Sequence, residues 1–190
     1  MRITVIALTL LLLPLTAMAQ ETPKVELFGG YSYFRTEDDR NLHGWNGSVA
    51  VNLNKWFGLV ADVSGHYDSQ RFRLLSSNGD IFSLEHFNRH QVLIGPRFSL
   101  RKSKRVTPFA HALFGIARDH QKITVSPFFQ TFEFSDTGFA MAVGGGLDVE
   151  ISRRLALRIL QVDYSLTHVN FTQHNARGSV GIVFRFGSTK

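Results

Sequence analysis

The chain contains no cysteine. This absence excludes disulfide bridges, thiolate metal sites and cysteine nucleophiles, so the fold must be closed by hydrogen bonds and packing alone. Beyond the N-terminal segment the chain also has no run of about 20 apolar residues, the length that a membrane-spanning helix requires. What the chain does have in quantity is phenylalanine and glycine, with 17 and 16 residues among 190.

The N-terminal segment has the pattern of an export signal. Arg2 precedes an apolar run over residues 3–15, and Ala17-Met18-Ala19 forms a small-x-small cleavage site. The run is too short for a spanning helix. No cysteine follows the cleavage site, which excludes a lipoprotein anchor. We therefore predict a signal peptide over residues 1–19 and one folded domain over residues 20–190.

The stretch from Ser179 to Phe186 alternates strictly between apolar and small or polar residues, which is typical of a β-strand with one apolar face. Similar stretches recur along the chain. They predict eight strands, over residues 25–35, 45–54, 57–67, 85–100, 106–118, 137–151, 155–166 and 179–186. The phase of the seventh strand shifts near Ile159, and Pro96 predicts a bulge or local irregularity in the fourth because proline has no ladder donor.

The connections between these strands alternate in length. Long connections are predicted at residues 36–41, 68–82, 119–136 and 168–175, and short turns at 54–56, 101–105 and 152–154. Within the third long connection, residues 128–134 have the pattern of a strand extension above the membrane. The asymmetry between long and short connections is typical of outer-membrane barrels, and strands of about 9–11 residues suffice to cross a bilayer when tilted. We therefore predict an all-β fold, an eight-stranded antiparallel up-and-down transmembrane β-barrel whose last strand pairs with its first.

The side of the sheet that faces inward follows from side-chain size. Glycine, alanine, serine and asparagine dominate the polar face of the second and sixth strands. Because eight strands enclose little space, these small residues belong inside and the larger apolar residues face lipid. Aromatic girdle candidates near strand ends are Tyr31, Tyr33, Trp45, Trp56, Phe57 and Tyr164.

The closing strand carries a motif as well as a pattern. Ser179, Gly181, Phe184 and Phe186 match the polar–x–Gly–x–x–apolar–x–aromatic order of outer-membrane assembly signals. With this motif the chain resembles, over residues 24–186, the small eight-stranded outer-membrane barrels of the OmpA-like group. It departs from them in the four-residue tail 187–190, and a periplasmic domain after the barrel is not expected.

The resemblance implies a bacterial outer-membrane location and a monomer. It implies contact with outer-membrane lipids, lipopolysaccharide and the barrel-assembly machinery. Gly181, Phe184 and Phe186 would form the assembly signal. Nucleic acid is not an expected partner: the net charge of +6 is concentrated at Arg101, Lys102, Lys104 and Arg105, where a solvated turn or lipid phosphates explain it better.

The predicted interior carries charged residues that must pair, because an unpaired charge in a narrow lumen costs several kcal/mol. Arg158 and His66 could join the set. The predicted members of this polar network are Glu26, Asp62, Arg97, His111, Asp148, Glu150, Asp163 and Arg185.

The favoured function is structural or surface-interacting, with a lumen filled by side chains. Two alternatives remain open. One is a lipid-modifying enzyme, either an acyl hydrolase or an acyltransferase, with Ser64 and His66 on one strand face as its catalytic candidates. The other is a narrow porin-like pore. His86 with His90, and His168 with His174, lack the compact ligand set of a metal site, so no metal or cofactor is predicted. Aromatic residues in 71–75 and 128–134 could contact a partner.

Overall fold

The computed structural model of the chain describes residues 22–74, 81–103, 105–126, 130–169 and 172–188. The predicted signal peptide lies outside these residues. None of the described residues belongs to a helix long and apolar enough to span a membrane.

Eight antiparallel strands form the whole fold. Each strand pairs with the next, and the last pairs with the first, so the sheet closes into a barrel without an edge. The strands are β1 Val25–Arg35, β2 Asn41–Asn52, β3 Phe57–Leu74, β4 Ile81–Ser99, β5 Val106–Ser126, β6 Gln130–Ser152, β7 Leu155–His168 and β8 Thr172–Phe186. This confirms the predicted all-β up-and-down barrel.

The barrel has two different ends, which we name by what they carry. The terminal rim carries the start of β1 and the end of β8, together with the turns after β2, β4 and β6. The distal rim carries the connections after β1, β3, β5 and β7. Val25 pairs with Phe186 at the terminal rim, and Arg35 pairs with Ala176 toward the distal rim.

Most of the described residues in 68–82, 119–136 and 168–175 belong to strands, so the prediction of loops there was wrong. The strand extension predicted within 128–134 is confirmed from Gln130 onward. β3 and β4 remain paired up to Leu74 and Ile81, and β5 and β6 up to Val125 and Gln130. Polar residues can continue a hairpin beyond the membrane because both faces there meet water, so alternation of apolar residues ends before the strand does. Two tall hairpins therefore stand on the distal rim.

Alternation along each strand separates a lipid-type outer surface from the interior. In β1, Leu27 and Tyr31 are exposed, whereas Glu26, Phe28 and Ser32, which have the opposite parity, are buried. The same division holds around the barrel, with small and polar residues inside and large apolar residues outside. The interior also holds a few large apolar side chains, among them Phe34, Leu93 and Leu113.

Two strand irregularities have the origins that the sequence suggests. In β7, the register toward β8 shifts between Arg158 and Gln161, so Ile159 and Leu160 both face outward and the inward pattern resumes one residue later. In β4, the pairing with β5 is interrupted at Pro96. Ile94 before the interruption and Arg97 after it nevertheless pair with β5 in the same register. Proline thus removes hydrogen bonds without a bulge.

Candidate functional site: the barrel interior and its distal mouth

The terminal end of the lumen is closed by three arginines around one carboxylate. Glu26, on β1, has Arg97 at 3.0 Å, Arg101 at 3.2 Å and Arg185 at 3.3 Å. Arg185 lies directly opposite Glu26 in the β1–β8 register and also binds Glu150 at 2.9 Å. Arg101, which the sequence placed in a solvated basic turn, instead turns into the barrel, where its side chain is 3% exposed.

A second layer lies next to this one, around Asp148 on β6. Arg97 contacts its carboxylate at 3.1 Å and Arg158 at 2.8 Å. Both guanidinium groups also lie over the ring of Phe109, at 4.2 Å and 4.4 Å from its centroid. The aromatic face thus supplies a cation–π contact on the side of each arginine that the carboxylate leaves free.

Arg177 on β8 crosses the middle of the lumen. Its Nη1 donates to Asp62 on β3 at 2.8 Å, and its Nη2 donates to Asp163 on β7 at 2.7 Å. His111 lies 2.8 Å from the other oxygen of Asp163, and Asn46 donates to Asp62 at 2.8 Å. The side chain of Arg177 is fully buried, so it spans the barrel at the level where the interior charges meet.

The two weak catalytic candidates do not form a pair. Nε2 of His66 lies 2.8 Å from the hydroxyl of Ser32, which in turn accepts a hydrogen bond from Ser179. Ser64 instead accepts a hydrogen bond from Arg177 at 3.3 Å. Ser64 and His66 are both 0% exposed. A nucleophile and its base need mutual contact and access to substrate, and these side chains have neither.

The distal mouth forms an open cleft with its own ion pairs. Arg89 binds Asp119 through two nitrogens at 2.7 and 2.6 Å and donates to Gln173 at 2.8 Å. Glu85 accepts from Arg40 at 2.6 Å and from Gln121 at 2.7 Å. The cleft has a volume of about 240 Å³, and its lining includes Thr36, Asp38, Arg40, Phe87, Arg89 and Phe134.

Seven of the eight predicted network residues are buried, and the eighth, Glu150, is 23% exposed and paired with Arg185. Each buried arginine among the described residues contacts a carboxylate. Sequence reasoning missed the contribution of Arg177, because it began the last strand at Ser179. Had β8 been extended back to Thr172, Arg177 would share its parity with Ser179 and Arg185. Arg89 was on the polar face of the fourth strand but was not assigned to the network.

The closing strand places its two final phenylalanines outside and its glycine against β1. Phe184 and Phe186 are half exposed on the outer surface. Gly181 lies opposite Gly30 of β1. Past the strand, Gly187 has a positive φ of 65°, a conformation that favours glycine. Within the part of the chain that the structure describes, no three histidine, aspartate or glutamate side chains gather as a metal site.

Three solved structures with the same barrel fold give a comparison for the whole chain. Ail, the attachment invasion locus protein of Yersinia pestis, solved with the heparin analogue sucrose octasulfate, is 20% identical, with a TM-score of 0.62 over 87% of this chain and 99% of that one. Neisserial surface protein A is 11% identical, with a TM-score of 0.54 over 85% and 96% of the two chains. OprG of Pseudomonas aeruginosa is 7% identical, with a TM-score of 0.50 over 90% and 99%.

These identities establish the fold alone. No match was found among the curated proteins. The family evidence comes from the sequence itself, since the model of the outer membrane protein β-barrel domain matches residues 5–186. That match covers nearly the whole chain and agrees with the closed eight-stranded barrel and its apolar outer surface. The chain therefore belongs to the outer membrane protein β-barrel domain family.

Proposed function

We propose that this outer-membrane barrel is a non-conducting structural protein whose distal rim faces the outside and makes surface contacts. The observation that carries the proposal is Arg177, which bridges Asp62 and Asp163 across the centre of the lumen. A fully buried guanidinium in that position, paired with the carboxylates of two different strands, would obstruct the passage of solutes. The ion pairs around Glu26 and Asp148 occupy the lumen again closer to the terminal rim.

The interior argues against both alternatives. A pore needs a water-filled passage, whereas eight-stranded barrels are filled by their side chains, and here the filling side chains are mutually paired. A lipid-modifying enzyme needs an accessible nucleophile and base. The separate partners of Ser64 and His66, and their complete burial, favour a packing role for both.

Purified protein in planar lipid bilayers is expected to produce no discrete conductance steps in concentrated KCl. The physical reason is the Arg177 bridge, which only unfolding or side-chain rearrangement would remove. A variant with Arg177→Ala, Asp62→Ala and Asp163→Ala is the matched comparison, because it removes the guanidinium of the bridge together with both of its carboxylates. Regular unitary steps from the unaltered protein would contradict the proposal.

The proposed contact surface is the inner face of the two tall hairpins. Phe72, Phe132 and Phe134 are about half exposed, at 46%, 49% and 53%. By the two-residue period of a strand they share a face with inward residues such as Ser64 and Ala140, so they stand around the mouth and not against lipid. Phe134 also lines the cleft. Exposed rings on the inner face of both hairpins favour an apolar partner.

Among the structural neighbours, Ail bears the name of an attachment protein. That name supports testing adhesion here, although at 20% identity it carries no residue roles to this chain. The sequence prediction of partner contact through the aromatic segments points to the same experiment.

Replacing Phe72, Phe132 and Phe134 with serine should lower the adherence of protein-displaying cells to polystyrene severalfold. The loss is expected because each ring presents apolar area worth about 25 cal/mol per Å² when it leaves water. The matched control replaces Arg71, Thr131 and Glu133 with serine, since these exposed residues are adjacent in sequence and face the other side of the hairpins. Equal adherence of both variants and the unaltered protein would disprove a contact role for the mouth.

A further inference from the structure

On the outer surface of each distal hairpin, a histidine or arginine side chain on one strand forms a hydrogen bond with a hydroxyl group on the other strand of that hairpin. The Tyr31 hydroxyl lies 2.5 Å from Nδ1 of His43 across β1 and β2, and that of Tyr67 lies 3.2 Å from Nε2 of His90 across β3 and β4. Tyr164 contacts His174 in the same way across β7 and β8. In the β5–β6 hairpin, Arg118 donates to Ser135 at 3.1 Å.

The histidines of this chain are concentrated in that zone. Of the eight in the sequence, only His66 and His111 are buried in the barrel. The other six lie on the outer surface of the distal half by strand parity: His43, His86, His90, His120, His168 and His174. Because a polar imidazole is costly among acyl chains, we infer that this zone lies at the level of the lipid headgroups.

Charges at the distal rim are also sorted by side. The carboxylates of Glu85, Asp119 and Asp136 share the parity of the inner face. On the outer face, Glu133 is paired with Lys122 at 3.0 Å, and Asp39 beside the rim is paired with Arg35 at 2.5 Å. The hydrogen bond and charge of Lys122 lower the pKa of Glu133, so this carboxylate remains an ion-pair partner in mildly acidic solution.

We propose that the three Tyr–His pairs and Arg118, which we name the rim belt, bind the headgroup phosphates of the surrounding outer-leaflet lipids, and that imidazole protonation strengthens this binding. Phosphate is the anionic group present at the depth where these side chains lie, and the belt has cations without an unpaired carboxylate among its members. The inference rests on the proposed orientation of the distal rim, but not on contacts at the mouth.

Protonation changes each pair in two ways that both favour phosphate. In a neutral pair the imidazole nitrogen can accept the tyrosine proton, and the pair satisfies itself. In the imidazolium both nitrogens donate, so the bond reverses and the tyrosine O–H becomes free to donate elsewhere. Each protonated pair thus gains one positive charge and one additional donor. Histidine makes this change between about pH 5 and 8.

The groups around each belt histidine are few. His43 faces Tyr31 and Tyr33 on β1 and lies opposite Tyr67 on β3. His90 faces Tyr67 and lies opposite Arg118 on β5. Beside His174, Tyr164 supplies the hydroxyl and Leu166 lies opposite in the register. Glu37 accepts a hydrogen bond from the backbone N–H of His174 at 3.0 Å, and it is the one carboxylate in this set of contacts.

Trp45 provides a local probe, because its Nε1 lies 3.4 Å from the hydroxyl of Tyr67. The folded full-length chain carrying Trp56→Phe retains Trp45 as its single tryptophan. We would place it in micelles containing dibrominated phosphatidic acid or dibrominated phosphatidylcholine and measure quenching. The ratio of the apparent affinity for phosphatidic acid to that for phosphatidylcholine should be about five at pH near 5.5, as one added surface charge implies. This ratio should fall toward one near pH 8, where the imidazoles are neutral.

A change in the protonation of the lipid itself would not produce this result. The phosphate monoester of phosphatidic acid gains negative charge as pH rises, so its own effect would have the opposite trend. His43→Gln, His90→Gln and His174→Gln together should remove the pH dependence, whereas Lys55→Gln in the turn at the terminal rim should retain it. Heat-modifiable migration on gels verifies that each variant is folded. An equal preference at both pH values, or an unchanged preference in the triple variant, would overturn the proposal without affecting the conductance and adherence tests.

Discussion

Gly30→Ala should prevent the barrel from closing, whereas Gly29→Ala, one residue earlier on the same strand, should be tolerated. A Cβ at position 30 would lie 2.0 Å from the carbonyl oxygen of Val180 and 2.7 Å from the Cα of Gly181. These are backbone atoms of the closing strand, so no rotamer change relieves the overlap. A Cβ at position 29 would have nothing within 4 Å.

The expected cost is about 3 kcal/mol or more, at the upper end of overpacking effects, because the clash falls on the β1–β8 seam. That seam is what makes the sheet edgeless, and a lipid-exposed edge would leave backbone groups unsatisfied. The measurement is heat-modifiable migration of membrane-extracted protein. Gly30→Ala should lose the compact folded band, and Gly29→Ala should keep it.

The closing strand offers a second matched pair for the same seam. A Cβ at Gly181 would lie 2.3 Å from the carbonyl oxygen of Gly29, whereas a Cβ at Gly178 would again meet nothing within 4 Å. Gly181→Ala should therefore behave like Gly30→Ala, and Gly178→Ala like the unaltered protein. If all four variants showed the same folded fraction, close approach of β1 and β8 would not limit assembly.

Arg177→Met should destabilise the barrel by about 3–5 kcal/mol, the usual effect of removing one partner of a buried ion pair. Arg177 is 0% exposed and serves both Asp62 and Asp163, whose side chains are 2% and 0% exposed. Methionine retains much of the volume, so the loss measures charge compensation more than packing. Urea unfolding in detergent, followed by the folded band on gels, gives the free energy of unfolding.

Two further variants separate charge from packing at this site. Arg118→Met removes an exposed arginine of the outer surface and should change stability by less than about 1 kcal/mol. Arg177→Met combined with Asp62→Asn and Asp163→Asn leaves no uncompensated carboxylate, so it should recover much of the lost stability. If the triple variant were as unstable as Arg177→Met alone, the loss would come from packing, and the charge explanation would fail.

The sequence alone was sufficient for the barrel and for the facing of most strands. Alternation in β2 and β6, with small residues on the polar face, determined which side is inside, because eight strands leave no room for the larger apolar residues. The phase shift near Ile159 and the irregularity at Pro96 were also visible in the pattern. The predicted signal peptide over residues 1–19 remains a prediction, since it lies outside the described residues.

The sequence did not predict where the strands end outside the membrane. The segments 68–82 and 119–136 contain turn-forming and polar residues, so they were predicted as loops. Pairing with the adjacent strand nevertheless keeps most of them extended, up to Leu74 and Ile81 in one hairpin. The same difficulty placed the start of the last strand at Ser179 instead of Thr172 and concealed the role of Arg177.

The sequence by itself determined that this chain is an eight-stranded barrel with a polar, small interior face. Alternation leaves a period-two record of each strand, and the small size of the residues on the polar face assigns that face to the interior. Only the tertiary structure decided which charges meet. Arg177 contacts Asp62, which lies 115 positions before it in the sequence, and Asp163, which lies 14 positions before it. The three arginines around Glu26 come from β4, the following turn and β8. Such contacts depend on the closure and register of the whole barrel, which no local pattern encodes.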